Sequence, residues 1–159
     1  MAYGWTTQTG KDIQADLRIV PFSGGESAPH RVVYRKTEMA QIRPFGWTPD
    51  AKQVLVLRSL KGGTNQIAMV LVEDGSIRVI KSVPWSYTAM SLSPDGKYIA
   101  YDGVTGNSTA ANEIIFVLAA DGSAETQIVH GPDKNGFPVW SHDGAPLLFL
   151  SDRTGSMSL

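Results

Sequence analysis

The sequence contains no cysteine. That excludes disulfides and thiolate metal ligands, and it leaves the redox character of the compartment unread. An excess of charge of one sign is also lacking: 14 Lys and Arg stand against 15 Asp and Glu, for a net charge of −1. Nothing electrostatic therefore calls for nucleic acid or an anionic membrane surface as partner. No apolar run approaches the roughly 18 residues a spanning helix needs, so no membrane span is expected. The N-terminal stretch MAYGWTTQTGKD has no basic segment followed by an apolar one and does not read as a secretory signal. A chain complete as written would be cytoplasmic. Sustained helical periodicity is missing too. The one candidate, residues 36–41, KTEMAQ, is too short and reads as a loop.

What is present is an ordinary globular balance, 42% hydrophobic against 18% charged residues, in a chain of 159 residues, long enough for one domain with a sizeable core. The chain is organised around residues 91–102, SLSPDGKYIAYD, because two other stretches are edited copies of it: residues 46–58, GWTPDAKQVLVLR, and 139–151, VWSHDGAPLLFLS. Each has a short apolar run, a turn marked by Asp50, Asp95 or Asp143, and then a run of apolar and β-branched residues, which is a β-hairpin. The turns recur about every 45 to 48 residues, a period that with hairpins inside it indicates propeller blades. A second hairpin follows in each unit. DLRIV (16–20) pairs with RVVY (31–34), QIAMVLV (66–72) turns at Asp74-Gly75, and EIIFVL (113–118) turns at Asp121-Gly122, the glycines supplying the positive φ that such turns use.

With the strands of a blade called a, b, c and d, the chain is expected to open at the end of strand b and to run through blade parts at about 1–36, 42–82, 88–130 and 137–159. Consecutive apolar residues at 54–57, 114–118 and 147–150 predict strands buried on both faces.

Residues 138–144, PVWSHDG, followed by 147–153, LLFLSDR, and Thr154-Gly155, together with 91–101, resemble the repeat of TolB-like β-propellers over essentially the whole chain. The resemblance implies an all-β fold of four-stranded antiparallel blades, three blade equivalents per chain, or half of a six-bladed ring. It also implies a non-enzymatic module that binds a protein or peptide at its axial face, in the periplasm. The same repeat occurs in propeller domains of prolyl-peptidase-like enzymes and in bacterial sensor domains, so the alternative is the propeller portion of a larger enzyme or regulator. A third reading is a carbohydrate-binding or carbohydrate-active propeller using Trp85 and Tyr87. The turn departs from the repeat at Ala51, where a glycine is usual, and at His142, where a proline is usual; a type I turn tolerates both.

Three blades cannot close a ring, since each would fill a wedge of about 120°, wider than a twisted four-stranded sheet covers. Unpaired outer strands invite a second chain. The expectation is a homodimer in which one copy lends strands a and b to the other's c and d, or else a piece of a longer propeller.

No catalytic, cofactor or metal set is expected. Ser141-His142-Asp143 lists the residue types of a hydrolase triad, but contiguous residues on a turn cannot face one another in the needed order. His30 and His130 have no partner at ligand spacing. Asn107-Ser108-Thr109 reads as a polar loop, and Gly24-Gly25 and Gly62-Gly63 lack a phosphate-binding frame. Trp47 and Trp140 share one register of strand a and read as packing residues. Binding is expected in the d-to-a connections near the axial channel: Trp85 and Tyr87 in one, Lys36 and Glu38 in another, Asp133, Lys134 and Asn135 in the third.

Overall fold

The computed structural model describes residues 1–9, 12–22, 28–37, 39–83, 89–104, 113–129 and 133–159. Every regular element among them is a strand or an isolated turn, and among the described residues no helix is long and apolar enough to cross a membrane. The chain divides into two compact units, 1–86 and 87–159.

The first unit holds β1 (Ala2–Thr9), β2 (Asp12–Ile19) and β3 (Arg31–Lys36) in one antiparallel sheet, and β4 (Met39–Trp47), β5 (Gln53–Leu60), β6 (Asn65–Leu71) and β7 (Ile77–Val83) in a complete four-stranded one. Val54, Leu55, Val56 and Leu57 in β5 are all buried, as their unbroken apolar run predicts. The core between the two sheets joins Ala15, Leu17 and Tyr34 to Met39, Ile42, Val54 and Val70.

Two expectations about this unit are corrected. Residues 39–41 are not loop but the first residues of β4, because Met39 and Ile42 are drawn into that core at 0% and 1% exposure. The chain also opens on a full strand and not on the tail of one: β1 pairs with β2 from Ala2↔Ile19 to Thr9↔Asp12. β1 therefore fills the place of strand b, and among the described residues no strand pairs with its other edge.

Close approach of backbone to backbone fixes the packing. A Cβ on Gly4 would lie 1.9 Å from the carbonyl oxygen of Ile42 in β4, and one on Gly75, at φ +74°, 2.1 Å from that of Val33 in β3. Only glycine allows either contact.

The second unit holds β8 (Met90–Leu92), β9 (Tyr98–Val104), β10 (Glu113–Ala119) and β11 (Glu125–Gln127) in a four-stranded antiparallel sheet. A hairpin of β12 (Asn135–Trp140) and β13 (Leu147–Ser151) follows, to which Ser158 adds a single bridge at Ser151. β12 packs across β8, β9 and β10. Tyr101, fully buried in this unit, stacks on Phe116 at 5.3 Å and donates its hydroxyl proton to Glu125. Burial first, and then the hydrogen bond to that carboxylate, push the phenol's pKa above its ordinary value.

The last apolar run departs from expectation. Leu148 is 48% exposed, because within the unit only one face of the hairpin is covered. Its repeat equivalent Ala100 is fully buried on the sheet that β12 covers.

Candidate functional site

The three repeat turns share one local chemistry. Thr48, Ser93 and Ser141 each donate a hydroxyl proton to Oδ1 of the aspartate two residues on, at 2.6, 2.7 and 2.5 Å. The same Oδ1 accepts the backbone N–H of Lys52, Lys97 or Ala145. The hydroxyl first, and then that N–H, hold the carboxyls of Asp50, Asp95 and Asp143 below their ordinary pKa. Ser141-His142-Asp143 is thus a turn staple, with His142 exposed beside it. The position after each aspartate adopts positive φ: +74° at Gly96, +75° at Gly144 and +56° at Ala51. The alanine is therefore not neutral at this turn, and carries a strain that glycine would not.

Of the expected binding residues, Trp85, Tyr87 and Glu38 lie outside the described residues, as do His130 and Asn107-Ser108-Thr109. Lys36 ends β3 in the first unit and is exposed. His30 meets Tyr3, the phenol oxygen 2.6 Å from its Nδ1. In the second unit Lys134 is exposed and its backbone N–H donates to Asp152 at 2.8 Å. Asn135 is only 2% exposed; its amide donates to the Asp133 carbonyl, and its Oδ1 lies 3.5 Å from Arg153 Nη2. It holds the connection's shape and presents no surface to a ligand.

The residue that organises this end of the second unit is Asp102, 8% exposed. Its Oδ1 accepts the N–H of Ala89 at 2.7 Å, just before β8, and its Oδ2 accepts that of Phe137 at 3.0 Å in β12. One carboxylate thereby pins the strand starts that follow the connections carrying Tyr87 and Asp133. Phe137 sits at a register shift of the β12–β13 ladder with φ +57°, a conformation strained for an aromatic residue, and it is 59% exposed. Val139 and Leu148, directly opposed across the hairpin, are 54% and 48% exposed. Sequence reasoning passed over both Asp102 and Phe137. A signal existed for the first, since the repeat positions of Asp102 are Leu57 and Leu150 and a carboxylate there breaks an apolar pattern. Among the described residues no group of three or more His, Asp or Glu could hold a metal.

No family model matches the chain. An uncharacterised protein of Agrobacterium fabrum is 30% identical over 138 residues, which cover 85% of this chain and 44% of that protein. TolB of Acinetobacter baumannii superposes with a TM-score of 0.70 at 25% identity, over 90% of this chain and 33% of TolB. The fold is that of a TolB-like β-propeller. With its four-stranded antiparallel sheets in repeat register, the chain carries the TolB-like blade as its sequence implied. Dipeptidyl-peptidase 5 of Porphyromonas gingivalis is 36% identical over 75 residues, 44% of this chain and 10% of that enzyme. The TolB-like chain spans less than half the length of the curated relatives it matches.

Proposed function

We propose that this TolB-like propeller segment is a non-enzymatic binding module for a protein or peptide, engaged from the d-to-a connections. The observation that carries the reading is Phe137: an aromatic residue held in solvent by a backbone conformation that costs about 1 to 2 kcal/mol, pinned by a buried carboxylate, two residues from the exposed Val139. Exposed apolar clusters mark interaction surfaces, and aromatic residues dominate their energetics.

The test uses the whole chain to select binders from a displayed peptide library. Phe137→Gly removes the ring and relieves the strain, so the expected result is an unchanged or higher Tm with about tenfold weaker peptide binding. Replacing Trp85 and Tyr87 together by Ala should weaken the same peptides by a similar factor. Unchanged affinity in both variants would sink the assignment.

A second reading, the propeller portion of a larger enzyme, is favoured by the 75 residues matched to the Porphyromonas peptidase. Release of dipeptides from peptide substrates by a longer polypeptide that includes this chain, lost when its other part is removed, would support it over the first.

Self-association belongs to the proposal as well. Among the described residues β1 has no neighbouring strand on its outer edge, and β13 has only the bridge at Ser158, an arrangement that favours pairing with a second copy. Light scattering should give a mass of about twice 17.2 kDa. A monomer at every concentration would overturn this part and leave the binding reading intact.

A further inference from the structure

In the second unit the β8–β9 and β12–β13 turns lie side by side. A Cβ on Gly144 would stand 3.6 Å from Pro94, and the Trp140 backbone N–H donates to Ser91 Oγ at 3.2 Å. Between the turns opens a cleft of about 480 Å³ lined by Ser93, Asp95, Tyr98, Trp140 and Asp143. The repeated aspartate position lines it from both turns, so each turn contributes one carboxylate.

The charge in this cleft is uneven. In both aspartates Oδ1 is occupied by two donors of the residue's own turn, and those bonds hold both carboxyls below their ordinary pKa, so both are ionised at neutral pH. The cation beside them is Lys97, whose Nζ lies 3.8 Å from Asp95 Oδ2; its side chain is 74% exposed, and such a pair holds loosely in water. One wall is aromatic. Tyr98 is 46% exposed, and Trp140 carries an indole N–H that is buried with no hydrogen-bond partner among the described residues.

We propose that this cleft binds an arginine side chain of a protein or peptide partner. A guanidinium is planar and weakly hydrated, stacks on aromatic rings and bonds carboxylates in pairs. Its needs are a π face and acceptors, which Tyr98, Asp95 and Asp143 provide. A neutral saccharide fits less well, because it brings no charge to set against the two carboxylates. The inference rests on the protein-binding reading above and names the side chain by which such a partner is held. It makes no use of Phe137.

The test needs no partner. The ¹⁵N-labelled whole chain is titrated with N-acetyl-arginine amide, with its uncharged isostere N-acetyl-citrulline amide and with cellobiose, following the Trp140 indole N–H and the Gly144 amide. The arginine compound is expected to shift both signals and to bind about tenfold more tightly than citrulline, the advantage shrinking as salt rises from about 0.01 M to about 1 M. Asp143→Asn keeps the Oδ1 acceptor that closes the turn and removes the charge, so it should lower Tm only slightly and weaken arginine binding about tenfold. Equal binding of citrulline, a response to the disaccharide alone, or no shift up to the solubility limit would each overturn the proposal. If arginine fails here while selected peptides still lose affinity for Phe137→Gly, the cleft assignment falls and the binding module stands; if neither experiment responds, both fall.

Discussion

Gly4→Ala should unfold or severely loosen the first unit. The added methyl carbon would lie 1.9 Å from the Ile42 carbonyl oxygen, far inside the closest approach of real Cβ atoms, and the atom it meets is backbone that cannot rotate aside. Either β1 or β4 must move by about an ångström or more, which opens the core around Ala15, Leu17, Met39 and Ile42. Overpacking of this kind costs about 1 to 3 kcal/mol where side chains can yield, and the rigid neighbour puts the expected loss at about 3 kcal/mol or more. Thermal unfolding followed by far-ultraviolet circular dichroism reads it directly. Gly62→Ala is the control in the same unit: nothing stands within 4 Å of its Cβ position, so its Tm should hardly change. A Gly4→Ala variant as stable as the control would mean that β4 does not press on β1 as described.

The second large effect is electrostatic. Asp16 is fully buried in β2, and its carboxylate accepts two bonds from Arg35, at 2.8 and 2.9 Å, two from Arg18, at 3.3 and 2.8 Å, and one from Gln14 at 3.3 Å. The hydrogen bonds of Arg35 chiefly, against the opposing cost of burial, hold its pKa below the ordinary 3.8. A carboxyl depressed in the folded state contributes stability that is fully present above its unfolded pKa and is lost as pH falls through the folded one. The first unit should therefore weaken as pH falls below about 4, and Asp16→Asn should remove that part of the acid sensitivity. At neutral pH Asp16→Ala is expected to cost about 2 to 3 kcal/mol, below the full cost of breaking a buried pair, because Arg18 and Arg35 keep 24% and 51% exposure and recover water. Urea unfolding of the two variants at pH 7 and pH 3 separates the two effects; an Asn variant with the same acid sensitivity as the parent would overturn the assignment to Asp16.

The blade repeat was legible in the sequence because its information is local. Asp50, Asp95 and Asp143 close turns with residues no more than two positions away, so the motif and its structure coincide. Strand β1 was half missed because TTQT carries no apolar alternation. Its pairing comes from β2, not from its own side chains. Residues 39–41 look like a linker in isolation and become strand because Met39 is buried in the core that the two sheets of the first unit share. The exposure of Leu148 depends on which face a neighbour covers, and no run of residues states that. The same holds at the candidate site. Tryptophans and charged loop residues attract attention in a sequence, whereas the φ of Phe137 and the two donors on Asp102 exist only once β12 has packed. Asn135, chosen for its place in a connection, proved to be part of the framework.

The repeated turn staple also bears on how the chain acquires its shape. Each a–b hairpin is closed by a hydroxyl, a carboxylate and a backbone N–H within five consecutive residues, so it can form in microseconds with almost no loop entropy to overcome. What such a hairpin cannot decide by itself is which sheet it will lie against. Register is settled early and locally, and the search that remains is among ready-made ribbons, with Gly4 and Gly75 acting as the keyways into which only the correct neighbour slides.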